Sequence, residues 1–187
     1  DSIDIELKNI LVKRVDVSYF TRPKSEKETD IMEITGSKPV GNFIIKKGSI
    51  KVTEFVTGYE KRSVRGQELL SRHPIELPPV MYETVGFWIE IVKEIEVSAQ
   101  NSGLDFMGGI HAIEHALIAM FPLFALCDRN DIGGISTTFH PQVKSGAIFI
   151  YDGYPGGVGL SERGYDSIEE LLTATLKLMA SCECETG

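Results

Sequence analysis

Hydrophobic and polar positions change their period near residue 75, and that change divides the chain. From Leu7 to Tyr59 the pattern is strand-like: Val15, Val17 and Tyr19 alternate with Asp16 and Ser18, as on half-buried strands. Phe43–Ile45 and Ile50–Val56 flank Lys46-Lys47-Gly48-Ser49, which reads as a hairpin turn. Thr21–Thr29, TRPKSEKET, is polar and reads as a loop. An antiparallel β meander or small barrel over residues 1–74 follows. Pro74, Pro78 and Pro79 exclude a helix from His73–Pro79, which reads as an extended connector.

Beyond the connector, Val85, Trp88, Ile89, Val92, Ile95 and Ala99 fall at helical spacing, and Gly103 stands where a left-handed cap is wanted. A second helix is predicted from about Met107 to Met120, with Pro122 ending or kinking it. Ile135–His140 and Ala147–Asp152 read as two short strands, joined closely enough to favour an antiparallel pair. In the last helix Ser167 and Glu170 suggest a capping box, and Ile168, Leu171, Leu172, Thr175, Leu176 and Met179 form an apolar stripe. The predicted class is α+β. The β subdomain of residues 1–74 precedes an α/β subdomain of residues 75–187, with about three helices and a short antiparallel strand pair.

Composition sharpens this picture only in places. A 187-residue chain that is 42% hydrophobic and 25% charged has the make-up of one well-buried domain, or of a domain plus a small subdomain, and argues against disorder. Three cysteines do not make a disulfide framework, so a reducing, cytoplasmic setting is expected. The longest apolar run, Ala116 to Cys127, is short and contains Pro122, so a soluble chain without membrane contact is expected.

Charge is distributed unevenly. Residues 1–97 carry 15 Lys+Arg against 16 Asp+Glu, and residues 98–187 carry 4 against 11, so the net charge of −8 resides mainly in the second half. Within the first half, residues 38–72 hold eight bases against three acids. Lys46, Lys47, Lys51, Lys61, Arg62 and Arg65 are interleaved there with Phe43 and Tyr59, a mixture suited to phosphate contact and base stacking on single-stranded DNA. The same pattern also fits a solvated sheet face with its aromatics in the core.

The second half carries His111-Ala112-Ile113-Glu114-His115, an HxxEH string that puts two imidazoles and a carboxylate on one helix face. A metal-dependent hydrolase would use the two histidines as ligands and Glu114 as base, with a third ligand from Glu162, Glu169 or Glu170. Asp128, Asp131, His140 and Asp152 are further candidates to converge there, which makes His111, His115, Asp128 and Asp131 a possible second metal site. The alternative is a packed helix whose polar residues bond to neighbouring carboxylates, while the Asp residues cap turns and Arg129 pairs with one of them. Asp152-Gly153-Tyr154-Pro155-Gly156-Gly157-Val158-Gly159-Leu160 fails as a phosphate loop. No Gly-Lys-Ser/Thr ends it, and Glu162 stands where the last glycine of GxGxxG belongs. Its glycines read as sharp turns and close packing.

Cys182-Glu183-Cys184 near the end supplies two thiolates, whereas structural zinc is bound tetrahedrally by four ligands. Together with Gly108–Ala116, Cys127–Gly134 and Ile148–Leu160, this CxC resembles the C-terminal cysteine-cluster domain of superfamily 2 DEAD/DEAH-box DNA helicases of the mitomycin-repair and RecQ-like type. The likeness covers residues 75–187 strongly. It implies that Cys182 and Cys184 are the first pair of a four-thiolate zinc site, that the second pair lies outside this sequence, and that zinc is absent or weakly held without it. It further implies a parent that is an ATP-dependent 3′-to-5′ DNA helicase working in DNA repair. This chain contains neither a Gly-Lys-Ser/Thr phosphate loop nor an Asp-Glu-x-His string. The expectation is therefore a non-catalytic accessory domain, partnered by single-stranded DNA and by the motor domains of the same polypeptide. A scaffold bracing those motor domains through apolar faces around Trp88 and Leu176 is the remaining alternative.

Overall fold

The computed structural model describes residues 2–4 and 6–183. Among these described residues, eight strands come in the order β1 (Ser2–Asp4), β2 (Asn9–Leu11), β3 (Tyr19–Val40), β4 (Phe43–Ser63), β5 (Leu69–Pro74), β6 (Val80–Ile91), β7 (Ile132–Thr137) and β8 (Gly146–Asp152). Helices α1 (Lys93–Asn101) and α2 (Phe106–Met120) lie between β6 and β7, and α3 (Leu160–Asp166) and α4 (Ile168–Ala180) follow β8. The fold is α+β, with an antiparallel sheet of strand order β3-β4-β6-β8-β7 and β5 beside β4.

Contacts group the chain into two units, residues 1–26 with 55–79 and residues 27–54 with 80–187. The division at 74/75 was drawn along the chain, whereas the long strands β3 and β4 each lend residues to both units. In the first unit β5 pairs with the end of β4. Gly58 permits that approach, since a β-carbon there would come within 2.5 Å of the His73 carbonyl oxygen.

The second unit holds a sheet buried on both faces. Ile45, Phe87, Ile89, Ile91, Ile148 and Ile150 face Phe106, Ile110, Leu117 and Ile118 of α2, with Phe121, Tyr165, Ile168 and Leu171 completing that core. The alternate residues Ile50, Val52, Trp88, Ala147, Phe149 and Tyr151 form a second cluster with Ile31, Tyr82, Ile135 and Val143 against it. Each fully buried side chain of this size stabilises the fold by about 1.5–3 kcal/mol. The Gln142 side-chain amide accepts from the Ile31 N–H at 2.7 Å and donates to the Ile31 carbonyl at 2.9 Å, standing in for a strand partner on β3.

Several local expectations need correction. Val85, Trp88 and Ile89 lie on strand β6, and only Ile95 and Ala99 lie on a helix. A strand buried on both faces reads as a continuous apolar run, and such a run imitates helical spacing over two turns. Lys46-Lys47-Gly48-Ser49 lies inside β4, and the turn is at Gly41, whose φ is +57°. Gly48 sits in mid-strand because the Glu33 backbone leaves no room for a β-carbon. Thr21–Thr29 is part of β3 and mostly exposed, which leaves its polar residues in water on a paired strand. The Ser167 capping box does not form, because Ser167 also ends α3 and donates its N–H to Arg163 at 3.2 Å.

Other expectations match. The second predicted helix is α2, the predicted strand pair is β7 and β8, and Gly103 has φ +70° just past α1. Phe106–Leu123 is long and apolar enough to cross a membrane by length and composition, a stretch that the 116–127 window missed. In this structure it is the core helix α2 and the 3-10 turn that follows it, with Phe106, Ile110, Leu117, Ile118 and Phe121 buried.

Candidate functional site and relatives of the chain

The polar cluster on α2 forms because i and i+4 positions share a helix face. His115 Nε2 lies 3.2 Å from His111 Nε2, with the rings edge to face. His111 Nδ1 lies 3.2 Å from Glu114 Oε2 and 3.2 Å from Ser136 Oγ, and Ser136 donates to the same Glu114 oxygen at 2.6 Å. Glu114 is buried, while His111 keeps 53% of its side chain exposed. The cluster thus has a buried carboxylate at its base and two imidazoles at its mouth. Ser136 comes from β7 and carries no sequence signal, since only the pairing of β7 under α2 brings it there.

The remaining candidates of the second half lie elsewhere. Among the described residues, the only group of His, Cys, Asp and Glu side chains spaced to hold a metal is His111, Glu114 and His115. Asp128 and Asp131 cap the 3-10 turn Arg129–Asp131 reciprocally, and Tyr154 Oη donates to Asp131 at 2.5 Å. That phenol and the Asp128 N–H hold the Asp131 carboxyl below the usual carboxylate range. Arg129 makes no ion pair among the described residues, contrary to expectation. His140 sits 3.0 Å from the Thr29 carbonyl oxygen. Fully buried Asp152 accepts the N–H groups of Val158 (2.6 Å), Gly159 (2.8 Å), Leu160 (3.3 Å) and Ser161 (2.6 Å). The glycine-rich loop therefore folds around the chain's own carboxylate, in the place where a phosphate loop would hold its ligand. Cys182 follows α4, and Cys184 lies outside the described residues.

The basic residues fall in both units. In the second, Lys46 pairs with Glu90 at 2.8 Å and Lys51 with Asp30 at 2.9 Å. Lys47 lies on the opposite face of β4 from Lys46. Its ammonium stands 5.0 Å from the Tyr165 ring centre, and that of Lys38 stands 4.5 Å from the same ring. Neither Lys38 nor Lys47 has a carboxylate partner among the described residues. Phe43 packs against the core. In the first unit Glu60 holds both Arg62 (2.6 Å) and Arg72 (3.1 Å), which lowers its own pKa, Arg62 being the larger cause. Lys61 lies over Tyr19, Tyr59 stacks on His73 at 4.8 Å, and Arg65 is exposed in a turn.

Trp88 is fully buried and offers no docking face, whereas Leu176 is 69% exposed. Leu176 lines an apolar groove of about 250 Å³ with Phe43, Ile91, Ile113, Leu172 and Met179.

Residues 113–187 match the family model of the MrfA Zn-binding domain. That segment, the C-terminal two-fifths of the chain, belongs to that family. The Bacillus subtilis protein named Uncharacterized ATP-dependent helicase YprA is 27% identical over 187 residues, which are 100% of this chain and 25% of that protein. The ATP-dependent helicase hrq1 of Schizosaccharomyces pombe is 26% identical over 194 residues, 98% of this chain and 18% of the relative. An uncharacterized Methanocaldococcus jannaschii protein is 41% identical over 81 residues, 42% of this chain and 72% of its own length. The crystal structure of the DUF1998 helicase MrfA bound to DNA superposes with a TM-score of 0.68 at 25% identity, covering 100% of this chain and 25% of that one. The chain thus spans about a quarter or less of the length of these helicases.

Proposed function

We propose that this chain is a non-catalytic accessory module of an ATP-dependent DNA helicase, holding or routing single-stranded DNA beside the motor domains of the same polypeptide in DNA repair. The observation that carries this reading is the alignment of the whole chain with one quarter of a helicase whose structure contains DNA. Lys38 and Lys47 support it, since two ammonium groups over one tyrosine ring without a carboxylate form a local positive site for a phosphate backbone. Lys46, Lys51 and Arg62 contribute less, being neutralised by Glu90, Asp30 and Glu60. In the first unit Arg65 is exposed and makes no ion pair among the described residues.

Zinc belongs to the same reading. Reduced Cys182 and Cys184 would supply two thiolates of a four-ligand structural site, and zinc bound there would tie the end of α4 to the other two ligands. A reducing cytoplasmic setting would keep those thiols available.

The hydrolase reading is less well supported. It needs the Glu114 carboxylate free to take a proton from a metal-bound water, and Glu114 Oε2 instead accepts from Ser136 and faces His111 Nδ1.

Fluorescence anisotropy of a labelled single-stranded oligonucleotide with this 187-residue chain tests the proposal. Binding that weakens with rising salt is expected. No binding at either low or moderate salt would contradict it.

A further inference from the structure

We propose that His111 and His115 form a chelate for a borderline divalent transition ion, with Glu114 as the positioning carboxylate. The proposed donors do not include Cys182 or Cys184, and the inference does not depend on the DNA-binding role.

Three features carry it. First, the two Nε2 atoms are 3.2 Å apart. Two nitrogens bound tetrahedrally to zinc at 2.0–2.1 Å are separated by roughly 3.3 Å, so the rings already hold a chelating separation. Second, His111 is braced from below: its Nδ1 lies 3.2 Å from Glu114 Oε2 and 3.2 Å from Ser136 Oγ, which leaves Nε2 on the side of His115. A ligating histidine whose other nitrogen donates to a carboxylate is the usual support of a metal-bound imidazole. Third, Glu114 is itself fixed, by the Ser136 hydroxyl and by burial among Ile118 and Gly134, while both imidazoles are open to solvent. The support is therefore built, and the ligand face is accessible.

The donor set names the ion class. Neutral imidazoles suit zinc, copper, nickel or iron, and they do not suit magnesium or calcium. The other coordination positions face outward and would be taken by water.

Zinc titration of the 187-residue chain carrying Cys182→Ser and Cys184→Ser, in competition with a chromophoric chelator, tests the site without the thiolate pair. One zinc per chain is expected, with no corresponding uptake of magnesium. Zinc should be held at least tenfold more weakly in His115→Ala and in His111→Ala. His115 is exposed, so its truncation leaves the fold intact, which a matching circular dichroism spectrum verifies. In 15N spectra the Nε2 resonances of His111 and His115 should move on zinc addition while those of His140 stay in place. Absence of zinc uptake would overturn the proposal. So would uptake that survives His115→Ala within twofold, or resonances of the two histidines that do not respond.

Discussion

Gly134 lies directly beneath Glu114: a β-carbon at Gly134 would meet Cγ and Oε1 of that carboxylate at 2.8 Å. The absence of a side chain on β7 is what lets a buried carboxylate on α2 reach Ser136 and His111. Gly134→Ala should therefore displace Glu114 and cost about 1–3 kcal/mol. A urea unfolding series measures it, and a loss below about 0.5 kcal/mol would show that the carboxylate is not held by this contact.

Asp152 anchors the turn from β8 into α3. Its carboxylate collects four backbone N–H groups at a fully buried position. Asp152→Ala leaves those donors without an acceptor and should destabilise by at least about 3 kcal/mol. An unfolding midpoint close to that of the parent chain would contradict the assignment.

The bond between Tyr154 and Asp131 gives a signed pH dependence. The Asp131 carboxyl is lowered in the folded chain, so its contribution is complete above the ordinary carboxylate value of about 4. It is lost as pH falls through the lower folded value. Tyr154 is raised by the same bond, so its contribution is lost in alkali, as pH rises above the ordinary phenol value of about 10. Tyr154→Phe should diminish both losses. Urea midpoints measured from pH 7 down to pH 2 and up to pH 11 check this, and an unaltered profile in Tyr154→Phe would exclude the linkage.

Cys127 should alkylate slowly at neutral pH. Burial raises its thiol pKa, and the Asp131, Asp128 and Asp152 carboxylates raise it further. The thiolate is the reactive form, so the rate of iodoacetamide labelling, followed by mass spectrometry, should climb only well above pH 8. Labelling at pH 7 as fast as that of an unstructured peptide thiol would contradict it.

How far the chain could be read in advance depended on whether a signal was local. The α2 helix, the β7 and β8 pair and the left-handed Gly103 are encoded in short windows, and all are present. The β6 strand was misread because Val85–Ile91 serves two cores at once, and the 46–49 turn because Gly48 answers to the Glu33 backbone rather than to a bend. The His111, Glu114 and His115 face was legible from spacing alone. Ser136, Gly134 and the shared Tyr165 ring beneath Lys38 and Lys47 were not, since each depends on residues brought together by sheet order.

The claim that this module contacts single-stranded DNA is tested most directly by the salt dependence of oligonucleotide binding in Lys38→Ala/Lys47→Ala. Each phosphate contact removed lowers the slope of log K against log salt by about 0.7 for single strands. The double variant should bind more weakly with a slope smaller by about one to one and a half, while Lys46→Ala, already paired to Glu90, changes it little. An unchanged slope and affinity in the double variant would contradict the account.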